Sequence, residues 1–170
     1  MKKSFLLLIL GIVSLSVVTT SCKKDDDDTP AEYIATDDTF KNFATWTQGG
    51  EFTGADPALG PAHGGNDSTT VRKVYFKDNV KPSGGLYPVG AVIVKHSHNT
   101  NGMVNEHTAM VKRGNNFDPT GNDWEYFMLA GDGEIAKDGD GNEMRGANLM
   151  NGMCLSCHTK AGTDYIFTQR

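Results

Sequence analysis

Cys154 and Cys157 stand two residues apart, and His158 follows the second at once. Two thiols and an adjacent imidazole in this order, C-x-x-C-H, form the attachment signature of a c-type haem. Each sulfur can add to one porphyrin vinyl group. Two intervening residues let both sulfurs reach the same edge, and the imidazole of His158 then falls under the iron. Other chemistries also use a C-x-x-C pair. A structural zinc site needs two further ligands, and the chain has no second C-x-x-C. A thioredoxin-type redox pair opens a helix in a βαβ setting, which the surrounding sequence lacks. A structural disulfide stays open as a third use. The chain has three cysteines, so if Cys22 has a separate fate, this motif uses both that remain.

Cys22 does have one. Lys2 and Lys3 precede a largely apolar stretch over 5–18, and small and polar residues lead to Ser21-Cys22. This is the pattern of an export signal, too short to span a membrane comfortably. A cysteine at the cleavage point resembles a bacterial lipoprotein signal with a relaxed lipobox; the alternative is a plain secretory signal with an unrelated cysteine. The lipoprotein reading gives residues 1–21 as the signal peptide and Cys22 as the lipidated first residue, anchored to the cell envelope outside the cytoplasm. Buried acyl chains contribute about 0.8 kcal/mol per methylene, so several would hold the protein firmly. Residues 22–36 then form an acidic flexible tether, since a stretch such as Lys23-Lys24-Asp25-Asp26-Asp27-Asp28 has nothing apolar to pack. It is a spacer, or a signal directing the lipoprotein to the cell surface. Net charge falls from −5 to −7 when Lys2 and Lys3 leave with the signal. An acidic chain argues against nucleic acid as a partner and is compatible with a basic electron-transfer protein.

The elements that must position the motif are mostly strands. Residues 37–170 read as one α+β domain, mainly an antiparallel β-sheet, with an N-terminal helix and a short C-terminal helix bearing the haem motif. Thr36-Asp37-Asp38 can cap the first helix, with Phe40, Phe43, Ala44 and Trp46 on its apolar side and Gly49-Gly50 as its end. A loop runs on through Asp67. Four strands follow, over 71–77, 89–96, 106–113 and 124–130, and the second is apolar enough to be covered on both faces. Residues 147–157 read as the helix that carries the cysteines. Asp138, Asp140 and Asn142 mimic the start of a calcium loop, but Glu143 stands where glycine is needed and Leu149 where glutamate is needed, so a turn is the better reading.

In order along the chain, Val71-Arg72-Lys73-Val74-Tyr75-Phe76, Tyr87-Pro88-Val89-Gly90-Ala91-Val92-Ile93-Val94-Lys95, Met110-Val111-Lys112, Gly121-Asn122-Asp123-Trp124-Glu125-Tyr126-Phe127, and the haem motif with its Thr163-Asp164-Tyr165-Ile166-Phe167-Thr168 tail resemble the cytochrome P-460 family, which includes the β-sheet type of cytochrome c-prime. The resemblance implies one covalent haem c, His158 as proximal metal ligand, and an open distal site that binds hydroxylamine or related nitrogen oxides. In hydroxylamine-oxidising members a strand lysine is bonded to the porphyrin. By position that is Lys95, with Lys112 second, and Arg72 is a pocket residue. Without the resemblance, Lys95 reads as a surface lysine at a strand end and Arg72 as an ion-paired strand residue. His96, His98 and His107, and less so His63, are candidate distal bases or sixth ligands. Glu106, Glu125 and Asp164 are the carboxylates open as a proton-moving group.

Three activities follow as expectations: hydroxylamine oxidation with electrons passed to a partner protein; nitric oxide binding without turnover, in a pocket lined by Phe76, Phe117 and Phe127; or simple electron transfer with Met103, Met110 or His107 as sixth ligand. A homodimer is left open.

Overall fold

The computed structural model describes residues 31–56, 63 and 67–168. The signal, Cys22 and most of the tether therefore lie outside the described residues. Six strands form one antiparallel sheet in sequence order: β1 (Thr47–Thr53), β2 (Thr70–Phe76), β3 (Val92–Asn99), β4 (Asn105–Lys112), β5 (Trp124–Leu129) and β6 (Arg145–Gly146). The helices are α1 (Asp37–Phe40) and α2 (Met153–His158), with single 3-10 turns at Phe43–Thr45 and Lys77–Asn79. The mainly β, α+β reading thus holds. No helix among the described residues is long and apolar enough to cross a membrane.

Alternation along the central strands builds two cores. Val92 and Val94 face one way with Tyr75, Val111 and Phe127, against Ala35, Phe40 and Phe43 of the N-terminal segment. Ala91 and Ile93 face the other way with Val74, Phe76, Met110, Trp124 and Tyr126, against Ile166 and the rim of α2. The sheet is therefore covered by the start of the domain on one face and by its end on the other. Phe40, Phe76 and Trp124 are fully buried, each contributing about 1.5–3 kcal/mol of transfer free energy.

Five expectations need correction. The N-terminal helix is a four-residue α1 and a 3-10 turn; Asn42 between them is left-handed (φ 58°), which breaks the helix. Gly49 and Gly50 do not end a helix but lie inside β1, an edge strand missed because Thr47–Thr53 is mostly polar and half glycine-flanked. The tether ends earlier than residue 36: the Tyr33 N–H donates to the Arg113 carbonyl at 2.8 Å, Glu32 pairs with Arg113 at 2.7 Å, and Ala35 is fully buried.

The second predicted strand also starts three residues late, at Val92. Gly90 is left-handed (φ 86°) and turns the chain before it, so Val89 is 43% exposed and does not share the face of Ala91, Ile93 and Lys95. The last helix begins at Met153 rather than 147, because Met150, Asn151 and Gly152 are all left-handed.

Candidate functional site

On the face of the sheet that α2 covers, β2 to β5 line a cavity of about 680 Å³, within the range of small-molecule and cofactor sites. Arg72, Ile93, Lys95, Glu106, Met110 and Tyr126 line the sheet side. Cys154, Cys157, His158 and the Ile166–Thr168 tail line the other. The structure thus gathers Cys154, Cys157, His158, Lys95 and Arg72 into one site.

Cys154 and Cys157 are one helical turn apart on α2, so both face the same way. They are free thiols, half-buried, and not bonded to each other. Burial pushes the Cys154 thiol up, keeping it protonated. His158 closes the helix. Its Nδ1 lies 2.7 Å from the Tyr165 carbonyl, which can only accept, so Nδ1 carries the proton and Nε2 keeps its lone pair. The rings of Tyr126 and Phe167 lie 5.4 and 5.5 Å from the imidazole. Burial lowers its pKa from 6.5 to about 4, leaving a neutral imidazole at pH 7.

Lys95 is not at a strand end. It sits mid-strand in β3, in the cross-strand row with Val74, Thr108 and Met128. Its amine cannot reach water by extending past an edge. Burial first lowers its pKa, from 10.5 to about 8; Glu106 opposes the shift and Arg72 adds to it. About a tenth of such amines are neutral, and so nucleophilic, at pH 7. Arg72 is 4% exposed and donates from Nη1 to the Gly54 carbonyl at 2.8 Å.

Of the three candidate carboxylates, only Glu106 lines the cavity. Alternation with Thr108 and Met110 on β4 points it there. His63 Nδ1 lies 3.0 Å from its Oε1, and the His63 ring is 6.5 Å from that of His158. Glu125 is on the opposite face, bridged by Arg145 at 2.7 and 3.0 Å. Asp164 is consumed by a salt bridge with Lys112 at 2.9 Å, so Lys112, also 5.1 Å over the Trp124 ring, does not approach the cavity.

His96, His98 and His107 fall on the far face of the sheet from His158. They form a stack, with His96 centroids 4.8 Å from His98 and 4.1 Å from His107. None of the three lines the cavity. Met103 is 84% exposed in a turn, whereas Met110 does line the cavity. Phe76 stacks on Tyr87 and Phe117 lies under Arg113, and neither lines the site; Phe127 does, together with Phe52 and Phe167. Phe52 was missed together with β1, and His63 had no periodic pattern to place it. The Asp138 carboxylate accepts the N–H groups of Asp140 and Asn142, both at 2.9 Å, as an ordinary turn does.

The donor set fits a haem better than a bare ion. No group of three or more His, Cys, Asp or Glu side chains able to hold a metal stands among the described residues, and a zinc site would require four ligands. A haem brings its own four nitrogens and asks the protein for one imidazole and two thiols. The cavity rim also carries the exposed apolar side chains Phe52, Met150, Met153 and Phe167, which a flat apolar macrocycle would cover. Comparison with family models, curated proteins and solved structures finds no match, and the fold and function rest on the residues themselves.

Proposed function

We propose that the protein is an exported, lipid-anchored mono-haem c-type cytochrome that binds and oxidises hydroxylamine or a related small nitrogen oxide. Cys154 and Cys157 would hold the haem through thioethers, and His158 would ligate the iron through Nε2. When bound, haem iron supplies a Lewis acid and a one-electron acceptor. The observation that carries the reading is the convergence of this motif with Lys95, Arg72 and Glu106 in one cavity. The Tyr165 carbonyl orients the imidazole. Glu106, beside His63, is placed to take protons from a bound N–H substrate. The cationic Arg72 favours negative charge developing there. These polar groups favour turnover over the wholly apolar gas pocket of the nitric oxide reading. Lys95 is the amine placed for the haem link that the cytochrome P-460 resemblance implies.

The test is mass spectrometry and optical spectroscopy of the mature protein. One added haem mass and a c-type pyridine chromophore are expected; stoichiometric zinc without haem overturns the reading. Lys95→Ala should keep the thioether-bound haem, lose a strongly red-shifted ferrous band and lose hydroxylamine oxidation. A wild-type spectrum of an ordinary five-coordinate haem c would move the assignment to nitric oxide binding.

A further inference from the structure

Asp164 is the most heavily used acceptor among the described residues, and none of its partners belongs to the cavity. Its side chain is fully buried. It accepts from the Tyr87 N–H at 2.7 Å, from Lys112 Nζ at 2.9 and 3.1 Å, from the Asn122 side-chain amide and from the Trp124 indole at 3.2 Å. These donors come from the loop before β3, the end of β4, and the start of β5 with the turn preceding it. One carboxylate therefore ties the C-terminal tail to three parts of the sheet.

What it ties down is a strained turn. The Ile166 N–H donates to the Thr163 carbonyl at 2.9 Å, and the two central residues, Asp164 and Tyr165, both have positive φ, 44° and 67°. Two left-handed central residues define the tight hairpin turn usually made by Asn-Gly. An aspartate and a tyrosine there cost on the order of 1–3 kcal/mol each, and such strain persists only where surrounding contacts over-determine it. The Asp164 hydrogen bonds supply that restraint, and the Tyr165 hydroxyl adds one to the Thr120 carbonyl at 2.8 Å. The product of the turn is the position of the Tyr165 carbonyl, 2.7 Å from His158 Nδ1.

We infer that Asp164 is a positioning residue for the proximal imidazole, acting through the backbone of Tyr165; the inference rests on the haem reading of His158. A hydrogen bond at Nδ1 fixes the ring's orientation and raises its basicity toward the metal, and ligand basicity is one of the protein's levers on haem potential. Loosening the turn lengthens that hydrogen bond and weakens the imidazole as a donor.

The experiment compares wild type, Asp164→Asn and Asn122→Gly as mature haem proteins. An amide at 164 has one acceptor oxygen and turns an NH2 toward donors. Glycine at 122 removes a single donor and suits the left-handed backbone there, φ 51°. Haem per chain, far-ultraviolet circular dichroism, the iron–imidazole stretching band of the ferrous resonance Raman spectrum and the midpoint potential are measured for each. In Asp164→Asn the band should move to lower frequency and the potential upward, with haem still attached; Asn122→Gly should move both the same way by less. A folded, haem-loaded Asp164→Asn with both readouts unchanged overturns the inference while leaving the haem reading intact. If Asp164→Asn does not fold, unchanged readouts in Asn122→Gly overturn it. Wild type without haem overturns the functional reading, and this inference with it.

Discussion

Lys95 and Lys112 lie on the same face of the sheet, yet their surroundings treat the same ammonium group in opposite ways. Lys112 is buried against a carboxylate, at 2.9 Å from Asp164. Breaking such a pair from one side leaves an uncompensated buried charge and costs about 3–5 kcal/mol, so Lys112→Met should lower the urea unfolding free energy by that amount without reddening or bleaching the haem spectrum. Lys95 makes no hydrogen bond among the described residues, and its pKa of about 8 records the strain of charging it there. A buried amine left unpaired in a cavity is a mark of function more than of stability. Glu106 lies beside it on the neighbouring strand, in the same wall of the cavity. Glu106→Gln keeps size and packing but removes the base, and should lower hydroxylamine turnover by about 100-fold or more with haem content unchanged. The C-x-x-C-H triplet was legible directly, because its chemistry depends on residues adjacent in sequence. The choice of Glu106 over Glu125 and Asp164 was not. It depends on which face of β4, β5 or the tail each side chain occupies, and on which arginine or lysine already holds it.

At the scale of elements, alternation told most of the story where strands were apolar. Along β2, period-two alternation puts Arg72, Val74 and Phe76 together on one face, and along β3 it holds from Ala91 onward. The reading failed where glycine or left-handed residues reset the chain. Gly90 removed Val89 from its expected row, Asn42 cut the first helix short, and β1 carried too few apolar residues to declare itself. The histidine stack is a product of pairing no local pattern could reveal: His96 sits opposite His107 across β3 and β4, and His98 two residues along. Burial first, then the neighbouring His96, lowers the His107 pKa from 6.5 to about 4. Between those values the unfolded chain binds a proton that the folded chain refuses, so stability falls as pH drops from 6.5 toward 4. Melting temperatures at pH 7 and pH 5 should show this loss in wild type, and His107→Leu should lessen it. An identical loss in the variant would mean that other groups control the acid limb.

At the scale of the whole molecule, an acidic segment and a signal-like stretch precede the described domain in the sequence. Cys22→Ser should release the protein from the membrane fraction; a variant that stays membrane-bound would point to an uncleaved signal instead. The strand order also has a bearing on how the protein is made. Every strand of the sheet lies ahead of Cys154 in the chain, each paired with its sequence neighbour. A chain crossing a membrane amino end first would deliver the whole sheet before the cysteine pair emerges, and neighbouring hairpins close without waiting for distant segments. The thiols remain half-exposed on the last helix. On the haem reading proposed above, the attachment machinery would therefore meet a finished sheet, and fastening the cofactor to the last helix would be the final act of assembly rather than its nucleus.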